Sequence, residues 1–181
     1  DVYKRQVPDD WDITTSARPE DVKRIFRRTV DTGIEHGTVT VMIGREGYEV
    51  TTFRIDGEYK DSRHPENVEF TASLKEDLKR RDFTINAMAY NEQEGIVDLF
   101  GGMDDIRSGI IRCVGNPADR FAEDALRMLR AVRFSAQLGY DIDKDTAAAI
   151  EELAGTIAAV SKERIHTEIG LSLIHISEPT R

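Results

Sequence analysis

Thr38-Val39-Thr40-Val41-Met42-Ile43-Gly44-Arg45-Glu46-Gly47-Tyr48-Glu49-Val50-Thr51-Thr52-Phe53 decides the fold. Two runs rich in β-branched and aromatic residues, 38–43 and 48–53, flank a four-residue segment with glycine at both ends, a strong hairpin signal. Upstream, Ile13-Thr14-Thr15 is a short β-prone run after an acidic cluster. Pro19 then opens an amphipathic helix bearing Val22, Ile25 and Phe26. Proline suits the first helical position, and Glu20 and Asp21 suit the positive end of the helix dipole. Downstream, residues 56–66 are polar, contain Gly57 and Pro65, and read as a loop. Val68-Glu69-Phe70 returns as a strand, and Ser73 with Glu76 forms a capping-box pattern before a short helix.

From about residue 103 the pattern turns helical. Ala118 to Leu138 places Phe121, Leu126, Leu129, Val132 and Phe134 near the helical repeat, and Gly139 ends the run as a left-handed cap. Asp145 to Ala154 is a further helix, and Ser161 with Arg164-Ile165 begins another. The fold class expected is α+β: a small mixed sheet with flanking helices, then an all-helical segment.

At 181 residues the chain is long enough to bury a core. With 33% charged and 39% hydrophobic residues, it has the composition of a soluble globular protein. No apolar run approaches the roughly 20 residues that span a bilayer. Cys113 is the single cysteine, which excludes an internal disulfide and makes a reducing cytoplasm the default expectation. The net charge of −9 argues against a dedicated duplex binder, which usually presents a basic face. Basic residues do concentrate at Lys79-Arg80-Arg81 and at Arg120, Arg127, Arg130 and Arg133. Asp1 to Gln6 and Leu173 to Arg181 resemble translated sequencing-adapter DNA, although a degenerate natural terminus reads similarly. Residues 1–6 and 170–181 are therefore expected to be non-native.

Three stretches can carry chemistry. In Asp10-Trp11-Asp12, residues two apart on a strand project to one face, so both carboxylates can hold Mg²⁺, which prefers oxygen ligands. Glu49 on a neighbouring strand is a candidate third carboxylate. The same residues read equally as a solvated acidic pair and an exposed strand glutamate. Arg80-Arg81-Asp82-Phe83-Thr84-Ile85-Asn86 offers guanidinium forks matched to phosphate oxygens; its alternative is a helix start with surface ion pairs. In Glu123-Asp124-Ala125-Leu126-Arg127-Met128-Leu129-Arg130, read as mid-helix, Asp124 and Arg127 share a face. They either pair with each other or present a carboxylate and a guanidinium to a nucleobase edge.

Together, Asp10 to Ala17, Arg80 to Ala87 and Glu123 to Arg130 closely resemble the successive motifs of class II tRNA nucleotidyltransferases, in order, within residues 7–168. That family belongs to the polymerase β-like nucleotidyltransferase superfamily and includes the bacterial poly(A) polymerases. The resemblance implies a nucleotidyltransferase head at 7–102 and a helical, base-recognising neck at 103–169. It implies that Asp10 and Asp12 bind catalytic Mg²⁺, with Glu49 as third carboxylate. Arg80, Arg81, Asp82 and Asn86 would contact the nucleotide sugar and triphosphate. Asp124 and Arg127 would read the base of CTP or ATP, supported by Glu123 and Arg130. Ser161-Lys162-Glu163-Arg164-Ile165 resembles a later neck motif.

The implied reaction is template-independent addition of CMP and AMP to the 3′ end of tRNA, with release of pyrophosphate and no membrane partner. His36-Gly37-Thr38-Val39-Thr40-Val41 favours this over poly(A) addition, whose enzymes usually carry a basic strand there. Asp56 to Arg63 supplies a loop that a CC-only enzyme would lack, which favours full CCA addition or A-only addition. A Gly-Gly-x-Val-Arg-Asp element before Asp10, and a helical body after residue 168, belong to the family pattern but not to this chain. Little activity is therefore expected of these residues alone, and a nucleotide-binding module without turnover is the remaining alternative.

Overall fold

The structure, a computed structural model, describes residues 11–57 and 68–176. The described residues divide into two compact units, one of residues 11–57 with 68–77 and one of 78–176.

The first unit is a four-stranded mixed sheet. The quoted hairpin is β3 (Thr38–Ile43) and β4 (Glu46–Thr52), in antiparallel register from Thr38 against Thr51 to Ile43 against Glu46. The strands reach closer together than the sequence suggested, so the turn is only Gly44-Arg45. Gly44 adopts φ +66, the left-handed backbone that tight hairpins demand. β1 (Asp12–Thr15) runs parallel to β4, and β2 (Thr29–Gly33) forms the other edge, giving the order β1-β4-β3-β2. One sheet face presents Val39, Val41 and Val50 to Val22 of α1 (Pro19–Ile25), a small buried cluster. Pro19 opens that helix as anticipated.

After the sheet, β5 (Arg54–Asp56) pairs antiparallel with β6 (Val68–Phe70), so strand pairing intrudes on the start of the expected loop. Residues 58–67, most of that loop, lie outside the described residues. α2 (Leu74–Lys79) follows, its Glu76 N–H donating to Ser73 Oγ at 3.4 Å.

The second unit contains a hairpin with no counterpart in the sequence reading: β7 (Met88–Asn91) and β8 (Gly95–Asp98). The helices are α3 (Gly102–Ser108), α4 (Pro117–Glu123), α5 (Leu126–Leu138), α6 (Lys144–Leu153) and α7 (Lys162–Ile176). A short parallel bridge joins β9 (Ile110–Ile111) to β10 (Asp141–Ile142). The core gathers Phe83, Ile111, Phe121, Met128 and Ala131, with Tyr140 and Val160 at its edge. Gly139 caps α5 at φ +68, as its position predicts.

The helix expected from Ala118 to Leu138 is two helices, and this correction matters for function. Asp124 takes an extended conformation, φ −149 and ψ 103, and the chain breaks at Asp124-Ala125. Nothing in Glu-Asp-Ala-Leu-Arg disfavours helix locally. The break is held instead by the Asp124 carboxylate, which accepts the Leu126 N–H at 3.1 Å and an ion pair from far along the chain.

Candidate functional site

The sequence-derived residues fall into two groups, one in each compact unit. In the first unit, Asp12 lies opposite Glu49 across the parallel β1–β4 ladder. Facing residues on neighbouring strands project to the same side of a sheet, so both carboxylates rise from the face opposite the valine cluster. Both are exposed, and neither makes a hydrogen bond or ion pair among the described residues. Asp10 lies outside the described residues. Around the two acids the face is hydroxyl-rich: Thr32 bonds Thr40 at 2.8 Å, and Thr38 bonds Thr51 at 3.0 Å. The donor set is oxygen only, the type that suits a hard divalent cation such as Mg²⁺.

In the second unit the charged residues are knitted together. Asp82 is buried, and both its oxygens are engaged. Oδ2 accepts from Arg130 Nε at 2.8 Å and from its terminal nitrogen at 2.7 Å, two charge-assisted bonds converging on one oxygen. Oδ1 accepts from the Phe83 N–H at 2.8 Å and from Asn86 Nδ2 at 3.2 Å. Arg81 donates to the Asn86 carbonyl at 3.4 Å, closing the loop 81–86 on itself. The Arg130 guanidinium sits 5.2 Å from the centre of the Phe134 ring, which meets Phe83 edge-on at 5.8 Å.

Arg127 is held by Glu123 at 2.6 Å and by two backbone carbonyls, Arg80 at 3.1 Å and Arg120 at 3.2 Å. Arg120 shares Glu123 and reaches the Lys79 carbonyl at 3.1 Å. Two hydrogen-bonded clusters, one of Arg81, Asp82, Asn86 and Arg130 and one of Glu123, Arg120, Arg127 and the Arg80 carbonyl, are joined along the chain at residues 80–82 and form a network that ties the loop 80–86 to α4 and α5.

Asp124 stands outside that network. Its side chain pairs with neither Arg127 nor Glu123. Oδ2 instead accepts from Arg164 on α7 at 2.7 Å. The sequence reading assigned Arg164 to a motif without a role, because the 40 residues separating the partners hide the pair. A cavity of about 390 Å³, lined by Leu126, Ser161, Glu163, Arg164, Thr167 and Glu168, opens beside it. Asp124 and Arg127 therefore sit close in sequence but are anchored separately, one to α7 and one to the 80–86 loop.

Burial pushes the Cys113 thiol up to about 12, so it stays protonated at neutral pH and takes no part in nucleophilic chemistry. No helix among the described residues is long and apolar enough to cross a membrane.

A mixed sheet with exposed carboxylates on one unit and an arginine-rich helical unit beside it in sequence defines the class. The chain belongs to the poly A polymerase head domain family, whose model matches residues 1–112. A second model, described as a probable RNA and SrmB-binding site of polymerase A, matches residues 139–174. More particular relatives carry one name. The chain is 55% identical over 159 residues to the CCA-adding enzyme of Ligilactobacillus salivarius, covering 88% of this chain and 39% of that protein. It is 56% identical over 164 residues to the CCA-adding enzyme of Bacillus velezensis, covering 91% and 41%. Among solved structures it resembles the Bacillus stearothermophilus CCA-adding enzyme in complex with CTP, with a TM-score of 0.85 and 49% identity over 95% of this chain and 41% of that one. The chain thus spans about two-fifths of the length of these relatives.

Proposed function

We propose that the whole protein to which these residues belong transfers CMP and AMP from CTP and ATP to the 3′ end of tRNA. The observation that carries this reading is the likeness, over 95% of the chain, to a CCA-adding enzyme solved with CTP. Residues 7–102 serve as the catalytic head and residues 103–169 as the neck. The reaction belongs in the cytoplasm, and its partners are a tRNA 3′ end, CTP and ATP.

The 3′-hydroxyl oxygen of the RNA loses its proton to solvent and bonds to the α-phosphorus of the nucleotide as the bond to pyrophosphate breaks, in line. Asp10 and Asp12 would hold Mg²⁺, with Glu49 as the third carboxylate beside them; the ion when bound activates the hydroxyl and steadies the leaving pyrophosphate. Arg80 and Arg81 offer donors to triphosphate oxygens. Asp82 acts in this conformation through others: it orients Arg130 and Asn86, and Asn86 contacts the sugar. Rate then comes chiefly from positioning and fixed charge.

Base choice rests on Asp124 and Arg127. Cytosine and adenine both place an exocyclic amine donor beside a ring-nitrogen acceptor. A carboxylate oxygen can accept from the amine while keeping its present partner, and a guanidinium has five N–H donors, enough to reach the ring nitrogen as well. Uracil and guanine reverse the pattern, leaving buried groups unpaired at about 1–3 kcal/mol each. Glu123 and Arg130 support the pair.

The test uses the full-length protein. Asp124→Asn and Arg127→Ala should slow C and A addition and also relax discrimination against UTP and GTP in competition. A loss of rate with unchanged preference would make the pair structural and remove it from base selection. Incorporation of A alone by the parent enzyme would favour the A-adding or poly(A) reading.

A further inference from the structure

Arg24-Ile25-Phe26-Arg27-Arg28 leaves the end of α1 and enters β2, and no role described so far uses it. Between Asp21 and Asp31 the chain carries Lys23, Arg24, Arg27 and Arg28 with no acidic residue, in a protein of net charge −9. Two of the four are neutralised: Lys23 pairs with Asp31 at 2.8 Å, and Arg24 pairs with Asp21. Arg27 and Arg28 are not. Both are exposed and have no carboxylate partner among the described residues.

The hairpin turn adds a third cation. The Met42 N–H donates to the Arg28 carbonyl at 2.9 Å, and the Arg28 guanidinium donates to the Gly44 carbonyl at 3.3 Å. Arg45, next to Gly44, is likewise exposed and unpaired among the described residues. Large apolar side chains lie bare beside these cations: Ile25 is 72% exposed, Ile43 60% and Phe26 40%. The contrast with the second unit is sharp, since the guanidiniums of α4, α5 and α7 all end on carboxylates.

We infer that Arg27, Arg28, Arg45 and Phe26 form a docking surface for RNA, with phosphates on the guanidiniums and an unpaired base on the Phe26 ring. Unpaired cations on an acidic protein select a polyanion, and phosphate contacts supply most of the affinity of such surfaces. A bare aromatic ring among arginines suits a base, because every base has a face to stack. The surface lies outside residues 139–174, the segment matched by the RNA-binding family model. The inference rests on the RNA-directed reading above and extends it to a second contact.

The experiment measures binding of a fluorescein-labelled tRNA transcript to the 181-residue chain by anisotropy across a salt series. Arg27→Gln/Arg28→Gln/Arg45→Gln should weaken binding roughly tenfold to a hundredfold near 0.1 M salt, and should flatten the log–log salt slope by about 2–3. Phe26→Leu should weaken binding about fivefold and leave the slope unchanged. Lys75→Gln/Arg107→Gln/Lys144→Gln removes the same charge elsewhere and should change far less. Circular dichroism melts confirm that each variant folds. The inference is overturned if the parent chain does not bind the transcript, if the two triple variants behave alike, or if affinity and slope survive the first one. It is also overturned, in favour of an acidic protein partner, if polyglutamate displaces the RNA as well as unlabelled RNA does. CTP binding by the full-length protein, measured in parallel, bears only on the nucleotidyltransferase reading. Its absence beside an intact RNA surface would sink that reading and spare this one.

Discussion

The two compact units handle charge in opposite ways. In the first, Asp12 and Glu49 face each other across a strand pair, exposed and unpartnered among the described residues. In the second, Asp82 spends both oxygens on protein donors, and Arg127 is held by one carboxylate and two carbonyls. Exposed carboxylates side by side repel one another, which tends to destabilise a fold but suits groups that await a cation. A pre-paired network holds donors and acceptors in place before any ligand arrives. The comparison teaches that substitutions in the first unit should cost chemistry alone, whereas those in the second should cost stability as well.

The largest separation of the two costs is expected at Asp12. In the full-length protein, Asp12→Asn should lower turnover at least about a thousandfold, some 4 kcal/mol of transition-state stabilisation. It should leave the urea midpoint within about 0.5 kcal/mol of the parent, because no protein partner is lost. Glu49→Gln should follow the same pattern with a smaller loss of rate. Substantial Mg²⁺-dependent incorporation by Asp12→Asn would end the assignment of that carboxylate to the metal.

The second unit should show the reverse. Arg133 and Glu168 form a buried pair at 2.5 Å between α5 and α7, with Arg133 also 4.3 Å from the Phe134 ring centre. Glu168→Leu would strand the Arg133 charge and should destabilise by about 3–5 kcal/mol, whereas Arg133→Met with Glu168→Leu should recover most of it. If the double variant is no better than the single one in chemical denaturation, desolvation is not what makes the pair matter.

The same contrast explains which features could be read from sequence. The 38–53 hairpin, the Pro19 start and the Gly139 stop are local signals, and each appears where its residues indicate. The hairpin 88–98 escaped notice because its turn, Glu92-Gln93-Glu94, carries no strong turn dipeptide; only Gly95, at φ +73, hinted at it. The break at Asp124 was illegible for a different reason. Every residue from Glu123 to Leu129 tolerates helix, and the carboxylate is drawn out by Arg164, a partner that local sequence cannot show. The candidate residues of the second unit were found by motif, but who pairs with whom was not. Asp124 and Arg127, three residues apart and able to pair on paper, are held by different elements.

A backbone contact tests how firmly the 84–86 turn is held. An added Cβ on Gly102, at the start of α3, would lie 2.3 Å from the Thr84 carbonyl oxygen, and neither backbone can yield cheaply. Gly102→Ala should cost about 2–3 kcal/mol and loosen the turn that carries Asn86. Gly155→Ala, which meets nothing within 4 Å, should be neutral or stabilise by about 0.5 kcal/mol. Equal denaturation midpoints for the two variants would show that α3 shifts freely and that the contact does not position Asn86.

The smallest effect expected is at Asp98, and its sign is fixed by pH. Burial acting alone would raise the Asp98 carboxyl. The N–H groups of Met103, Gly102, Phe100 and Gly101 outweigh it and hold the group below the ordinary carboxylate range. Two of these contacts are short, Met103 at 2.8 Å and Gly102 at 2.9 Å, so the carboxylate caps the free donors at the start of α3. A lowered folded-state pKa means that the ionised form stabilises the fold. That contribution is complete above the unfolded value near 3.9 and disappears as pH falls through the folded one. Asp98→Asn keeps the shape but gives up the charge, so it should cost about 0.3–1 kcal/mol at pH 7. Toward pH 2–3 the parent loses the same charge, and the two unfolding curves should converge. A gap between parent and variant that stays constant from pH 7 down to pH 2.5 would mean that the charge of the carboxylate contributes nothing to the fold. The cost at Asp98 would then be one of packing, and the charge-dependence drawn for the second unit would not extend to α3.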